Sequence, residues 1–264
     1  MTALAISIAV FLSLAMAGGW ALAQSTGRSG YIDSVWSAAT GAACAMAALG
    51  ADGDPARRYL VAGMGALWGA RLAFYLWRRA SHGPDDARYA ALKAEWGDKA
   101  GRQLFVFLQI QAAAALPLAL ASYFAAHAPR GGLGLQDILG QDVLGITIFV
   151  AALAGETIAD RQMAAFKADP ANKGKVCDTG LWAWSRHPNY FFEWMGWLAY
   201  PAIALSLSQP ASLLSFGAPI LMYVLLARIS GVPPLEAHMK RSRPEAFAAY
   251  AARVSEFWPR PPRP

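Results

Sequence analysis

Seven apolar runs, each close to the length a helix needs to cross a bilayer, leave this chain little choice of fold. They cover residues 2–24, 31–51, 59–77, 103–127, 138–159, 191–208 and 211–231. A helix of about twenty apolar residues spans the ~30 Å hydrocarbon layer. Inside lipid, a helix satisfies its own backbone polar groups. The expected class is therefore all-α: a polytopic membrane protein of seven transmembrane helices. With 56% hydrophobic and 15% charged residues, the chain is too apolar for an ordinary soluble domain. Pro117 interrupts the fourth run, which membrane helices tolerate. Ala21-Leu22-Ala23 resembles a signal-peptidase site, but no basic segment precedes the run, so the first helix is expected to be retained.

The cations orient the runs. With the N-terminus outside, the inner segments hold Arg28, six Lys or Arg in 78–102, five in 161–190 and seven in 228–264, which is 19 of the 23. A bias of this size follows the positive-inside rule, so the N-terminus is expected outside and the C-terminus in the cytoplasm. The whole chain, 1–264, reads as a single integral membrane domain, and its Pro-rich basic tail, 232–264, includes a short helix around 242–256.

Several functions fall away. Cys44 and Cys177 have no ligand spacing, and the four histidines are scattered, so no metal site is expected. The net charge of +6 suits basic loops against anionic membrane lipids better than nucleic acid. There is no Gly-x-Gly-x-x-Gly, no Walker loop, no serine nucleophile elbow and no His-Glu-x-x-His. Any nucleotide must lie between membrane helices.

Polar residues in and beside the runs carry the candidate chemistry, because ionisable groups inside a membrane are costly and mark function by default. In Lys175–Trp197 a basic start, Ser185-Arg186-His187-Pro188-Asn189, enters an aromatic run that contains Glu193. Pro188 suits the first turn of a helix. A helix N-terminus beside Arg186 makes an anion site, and Asn189 and Glu193 share one face. Trp182, Trp184, Tyr190, Trp194 and Trp197 also read as an interfacial belt. Arg71, Tyr75, Arg78 and Arg79 share a face of the third run and can hold phosphate or stack on a ring. Arg78 and Arg79 equally read as positive-inside anchors. Glu156 and Asp160, one turn apart, can accept from ribose or carboxamide groups or pair with Arg71, or Asp160 marks the membrane boundary. Asn172-Lys173-Gly174-Lys175 is a polar turn whose lysines can meet a phosphate or face solvent. Asp33 is a proton donor, a carbonyl orienter or a helix cap; Glu236 reaches back to the site or is a first-turn carboxylate.

Three pieces carry a resemblance over about Asp33 to Pro259. They are Arg71-Leu72-x-x-Tyr75, Gly155-Glu156-x-x-x-Asp160-x-Gln162, and Gly180-Leu181-Trp182-x-x-Ser185-Arg186-His187-Pro188-Asn189-Tyr190-x-x-Glu193. With them the chain resembles the steroid 5-alpha-reductase family, in its broad bacterial membrane branch. Related Arg-His-Pro motifs occur in sterol reductases and isoprenylcysteine carboxyl methyltransferases. The resemblance implies NADPH among the cytosolic helix ends and hydride delivery to the beta carbon of an enone. It implies that Asp160, Asn189 and Glu193 contact the nicotinamide or its ribose, that Arg71 and Tyr75 lie on the phosphate side, and that Arg228 lies near the other end. The steroid enzymes carry a Gln-Glu pair on the second span and a Tyr one turn before the Arg of the third; here those regions offer Asp33 and Trp68.

The expectation is thus a monomeric reductase of a lipophilic enone (steroid, sterol, isoprenoid or fatty), in a bacterial inner membrane with its cofactor mouth facing the cytoplasm and the 232–264 tail packed there. Its catalytic residues would be Asp33, Tyr75 and Glu193. Its NADPH residues would be Arg71, Tyr75, Arg78, Glu156, Asp160, Asn172, Ser185, Arg186, His187, Asn189, Glu193, Arg228 and Glu236. The alternatives are a membrane methyltransferase using S-adenosylmethionine and a non-catalytic lipid-binding protein.

Overall fold

The computed structural model describes residues 1–82, 85–128, 138–206 and 208–263, all helices and connections with no strand among them. Six helical stretches are long and apolar enough to cross a membrane: Thr2–Thr26, Tyr31–Leu49, Pro55–His82, Ala87–His127, Gly140–Ala168 and Pro210–Ser242. Large apolar side chains such as Ile6, Val10, Leu14, Leu67 and Ile110 point outward from them, as lipid contact requires. The described residues form two compact units, 1–137 with 203–217, and 138–202 with 218–264.

The first unit is built from α1 (Thr2–Thr26), α2 (Tyr31–Leu49), α3 (Pro55–His82), α4 (Ala87–Trp96) and α5 (Ala100–His127). Gly27, with φ 69°, ends α1 in the left-handed conformation that glycine adopts freely. Between α2 and α3 the backbones nearly touch: a Cβ on Gly41 would lie 2.7 Å from the Gly69 Cα. Small residues permit that approach where helices associate in lipid by packing rather than by expelling water. Ile8, Leu12, Met16, Leu104, Leu108 and Leu118 fill the core. Asp86 caps α4, accepting from the Arg88 N–H at 3.0 Å. The polar 78–102 segment is therefore mostly helical: α3 runs on to His82 and α4 follows.

The second unit is less regular. A π-turn, Ile138–Asp142, opens α6 (Val143–Ala168), which outlasts the predicted fifth span because Met163 to Ala168 are good helix formers up to Asp169-Pro170. The turns Pro170–Asn172 and Gly180–Ala183 lead to α7 (Pro188–Trp197) and α8 (Ala199–Ala204). α7 begins before the predicted start of the sixth span, with Pro188 in its first turn where its missing N–H costs nothing. A 3₁₀ segment (Pro210–Phe216) of the first unit precedes α9 (Gly217–Val224) and a π-turn (Leu225–Ile229). The chain then breaks at Gly231, where a Cβ would lie 2.4 Å from the Leu226 carbonyl oxygen. Two short helices follow, α10 (Val232–Ser242) and α11 (Pro244–Arg253), each with proline in its first turn. α11 is the short helix expected around 242–256.

Candidate functional site

In the second unit α6 and α7 pack side by side, and three contacts give their register. The Asn189 amide donates to Asp160 at 3.4 Å, a Cβ on Gly155 would meet the Phe192 ring, and one on Gly196 would touch Ala152 at 3.4 Å. As α6 numbers fall, α7 numbers rise, so the helices are antiparallel. Glu156, one turn from Asp160, and Glu193, one turn from Asn189, therefore stand at the same level. Both are buried, and the Trp197 indole N–H donates to Glu193 at 3.1 Å. The layer thus holds two buried carboxylates, with a half-buried carboxylate and an amide one turn away. The i, i+4 spacings were legible in the sequence; their facing each other was not.

The basic start of the same stretch has a different use. Arg186 donates through Nε to Glu236 at 2.7 Å and through Nη1 to the Val254 carbonyl at 2.8 Å, with Glu256 3.9 Å from Nη2. Its backbone N–H donates to Ser255 O at 2.8 Å. Glu236 also meets His187 Nε2 at 3.3 Å, and His187 stacks on Tyr190. The Ser185 hydroxyl donates to Phe257 O at 2.9 Å, and the Arg260 N–H to Trp184 O at 2.9 Å. Ser185, Arg186, His187 and Glu236, read from sequence as cofactor groups, thus clasp the tail onto the turn before α7. The Arg186 fork is engaged by Glu236 and the Val254 carbonyl. Tyr250 completes the clasp: its buried phenol donates to Trp182 O at 2.6 Å, and burial pushes its pKa up. Asn172 serves the turn after α6, donating to Phe166 O at 3.2 Å.

Arg228 lies on the other side of α7. Tyr190, Phe191 and Trp194 project from that side and pack with Tyr223, Leu226 and Phe257 into an aromatic wall. Beyond the wall, Arg228 lines a cleft with Val232, Glu236, Lys240 and Glu256. Arg228 thus adjoins the aromatic side of α7 through Tyr223.

The remaining candidates belong to the first unit. Arg71 and Tyr75 stand one turn apart on α3, half-buried, and the exposed Arg78 lies over the Phe74 ring. Asp33 is not a cap: it is an acceptor for Arg88 and for the buried Tyr89 phenol, which donates at 2.8 Å. Gln111 donates to the same phenol at 3.4 Å. Tyr89, which donates to Asp33 in this cluster, is a residue that sequence reasoning missed. Its only signal was position on a helix opened by Asp86; nothing announced a partner 56 residues earlier. Trp68, at the position expected of a tyrosine, is buried edge-on to Trp36.

Among the described residues no group of three or more His, Cys, Asp or Glu could hold a metal ion. A family model described as Protein of unknown function (DUF1295) matches residues 19–254. No curated protein and no solved structure matches the chain significantly.

Proposed function

The chain belongs to the DUF1295 family of membrane proteins, and on that premise we propose that it is an NADPH-dependent reductase of the C=C bond of a lipophilic enone. The observation that carries this reading is the α6–α7 layer, where Glu156 and Glu193 are buried one turn from the Asp160–Asn189 contact. Keeping carboxylates at such depth is costly and is accepted where they serve a ligand. The donor set suits the nucleoside end of a nicotinamide cofactor. A carboxamide offers two N–H donors and one acceptor, and a ribose offers hydroxyls. Glu193 and Asp160 accept from such donors, and Asn189 answers a carbonyl or hydroxyl oxygen. For phosphate, the turn after α6 offers the exposed Lys173 and Lys175. NADPH, when bound, supplies the hydride; the chain's own work is to orient the ring and exclude water.

The reading also takes the helices as seven spans, N-terminus outside and C-terminus in the cytoplasm. Pro188–Ala204 rises about 25 Å at 1.5 Å per residue, close to the hydrocarbon thickness, and serves as the sixth. Apolar substrate then arrives from the bilayer and charged cofactor from the cytoplasm, in a bacterial inner membrane. Reporter fusions after Arg102 and at the C-terminus should both read cytoplasmic; opposite readings at the two points rule this topology out.

The function is tested by adding NADPH, NADH or S-adenosylmethionine to the detergent-purified protein and following tryptophan fluorescence and melting temperature. Saturable binding of NADPH, tighter than NADH because the 2′-phosphate adds an anion, is the expected result. A response to S-adenosylmethionine alone overturns it in favour of a methyltransferase. No response to any of the three leaves a lipid-binding protein.

A further inference from the structure

The cleft behind the aromatic wall measures about 350 Å³ and is lined by Ala227, Arg228, Val232, Glu236, Lys240 and Glu256 among others. Two cations and two carboxylates face it, yet they do not neutralise one another. Glu236 is bound to Arg186 and His187, and Glu256 lies nearest Arg186. Arg228 rests over the Tyr223 ring, with the phenol oxygen at 3.5 Å as its hydrogen-bond partner among the described residues. Neither Arg228 nor Lys240 has a carboxylate partner among the described residues. The break at Gly231 sets them on one cleft although they belong to different helical segments.

The surroundings say where an anion would come from. Ile229, Val224, Leu235 and Trp258 are exposed apolar side chains near the cleft in sequence or in the wall behind it. The cleft lies at the polar end of the apolar stretch Pro210–Ser242. A ligand here meets cations and lipid-facing surface together, beside the aromatic wall. We infer that Arg228 and Lys240 hold the phosphate of an anionic phospholipid headgroup, with its acyl chains along Ile229 and Leu235. Two cations without carboxylate partners give a phosphodiester charge-assisted hydrogen bonds, and an Arg fork suits two of its oxygens. The inference does not depend on the reductase reading.

The test is lipid retention by the full-length protein, purified in mixed micelles of detergent with phosphatidylglycerol or phosphatidylcholine and examined by native mass spectrometry. The parent should retain phosphatidylglycerol and not phosphatidylcholine. Arg228→Gln with Lys240→Gln should weaken retention by about thirtyfold, the scale of two cations acting at an anionic surface. Arg260→Gln with Arg263→Gln removes as many exposed cations from the same tail and should leave retention as it was. Equal losses in the two double variants would reduce the effect to bulk surface charge and overturn the site. Displacement of phosphatidylglycerol by NADPH, with NADPH binding lost in the Arg228/Lys240 variant, would assign the cleft to the nucleotide instead. Because the substitutions touch no ion pair, both double variants should melt near the parent; if the Arg228/Lys240 variant melts far below it, the cations hold the fold and the proposal fails.

Discussion

The two units bury different kinds of polar group. In the first, the buried polar side chains are mostly hydroxyls: Ser29, Ser34, Ser37, Thr40, Ser122, Ser212 and Ser215, with Arg57 the ionisable exception. In the second they are Asp142, Glu156, His187, Glu193 and Glu236, beside Ser185. Two of these hydroxyls donate to backbone carbonyls at 2.7 Å, Ser37 to Asp33 O in its own helix and Ser34 to Ala73 O on α3. The buried carboxylates draw on cationic and indole donors, Glu236 on Arg186 at 2.7 Å and Glu193 on Trp197 at 3.1 Å. The helices differ as well. The first unit is built largely on long unbroken helices, whereas the second is interrupted by π-turns, two 3₁₀ turns and the break at Gly231. Irregular backbone at membrane depth is tolerated where it is buried or lines a cavity. On the proposed function, the first unit is mainly a scaffold and ligand contact concentrates in the second.

The most damaging break should be Glu236→Ala. It leaves the half-buried Arg186 without its nearest carboxylate and frees the tail, a loss of up to about 3 kcal/mol, the low end for removing one partner of a buried pair. Thermal melting in detergent and proteolysis in 240–263 measure it; a parent-like melt with a protected tail would show that the clasp is incidental.

Next comes the carboxylate layer. Glu193→Gln should lower NADPH affinity or turnover roughly ten- to a hundredfold, the scale of one charge-assisted hydrogen bond. The fold should survive, since the change removes a charge from an apolar place. Titration of the variant and of Asn189→Ala settles the matter: parent-like binding in both would move the nucleotide elsewhere.

In the first unit, Tyr89→Phe removes the phenol that donates to Asp33 and should cost about 1 kcal/mol, with NADPH affinity unchanged. A change in affinity larger than the change in melting temperature would contradict the scaffold role of this unit.

The smallest effect is a pH dependence at Asp86. Burial raises its pKa, but hydrogen bonds and charge from Arg88, with Arg79, outweigh burial and hold it below the ordinary value. A carboxylate with a depressed folded pKa stabilises the fold fully above its unfolded pKa, about 3.9, and loses that contribution as pH falls through the folded value. Melting temperature followed downward from pH 5 should fall less in Asp86→Asn than in the parent; parallel curves would remove Asp86 from the account.

The long helices and the start of α7 are legible in the amino-acid sequence. Hydropathy places the long helices because lipid leaves an apolar run of twenty residues no other regular form. Pro188 in a first turn, and Asn189 and Glu193 on one face, follow from local stereochemistry. Arg186 is readable as a cation beside a helix start, but not as the clasp it is, because its partners Glu236 and Val254 lie 50 and 68 residues away. Tyr89 is invisible for the same reason.

Local pattern, then, determined that the chain is helical and apolar enough for a membrane, and which residues are costly to place there. Propensity, period and hydropathy act over a turn or a bilayer thickness, so one sequence carries them complete. Which buried charge meets which partner was decided by tertiary packing alone. The antiparallel register of α6 on α7 sets Glu156 and Glu193 at one level. The break at Gly231 sends Glu236 to Arg186 and leaves Arg228 and Lys240 on an open cleft. Such pairings depend on distances between residues far apart in the chain, and no spacing within one helix encodes them.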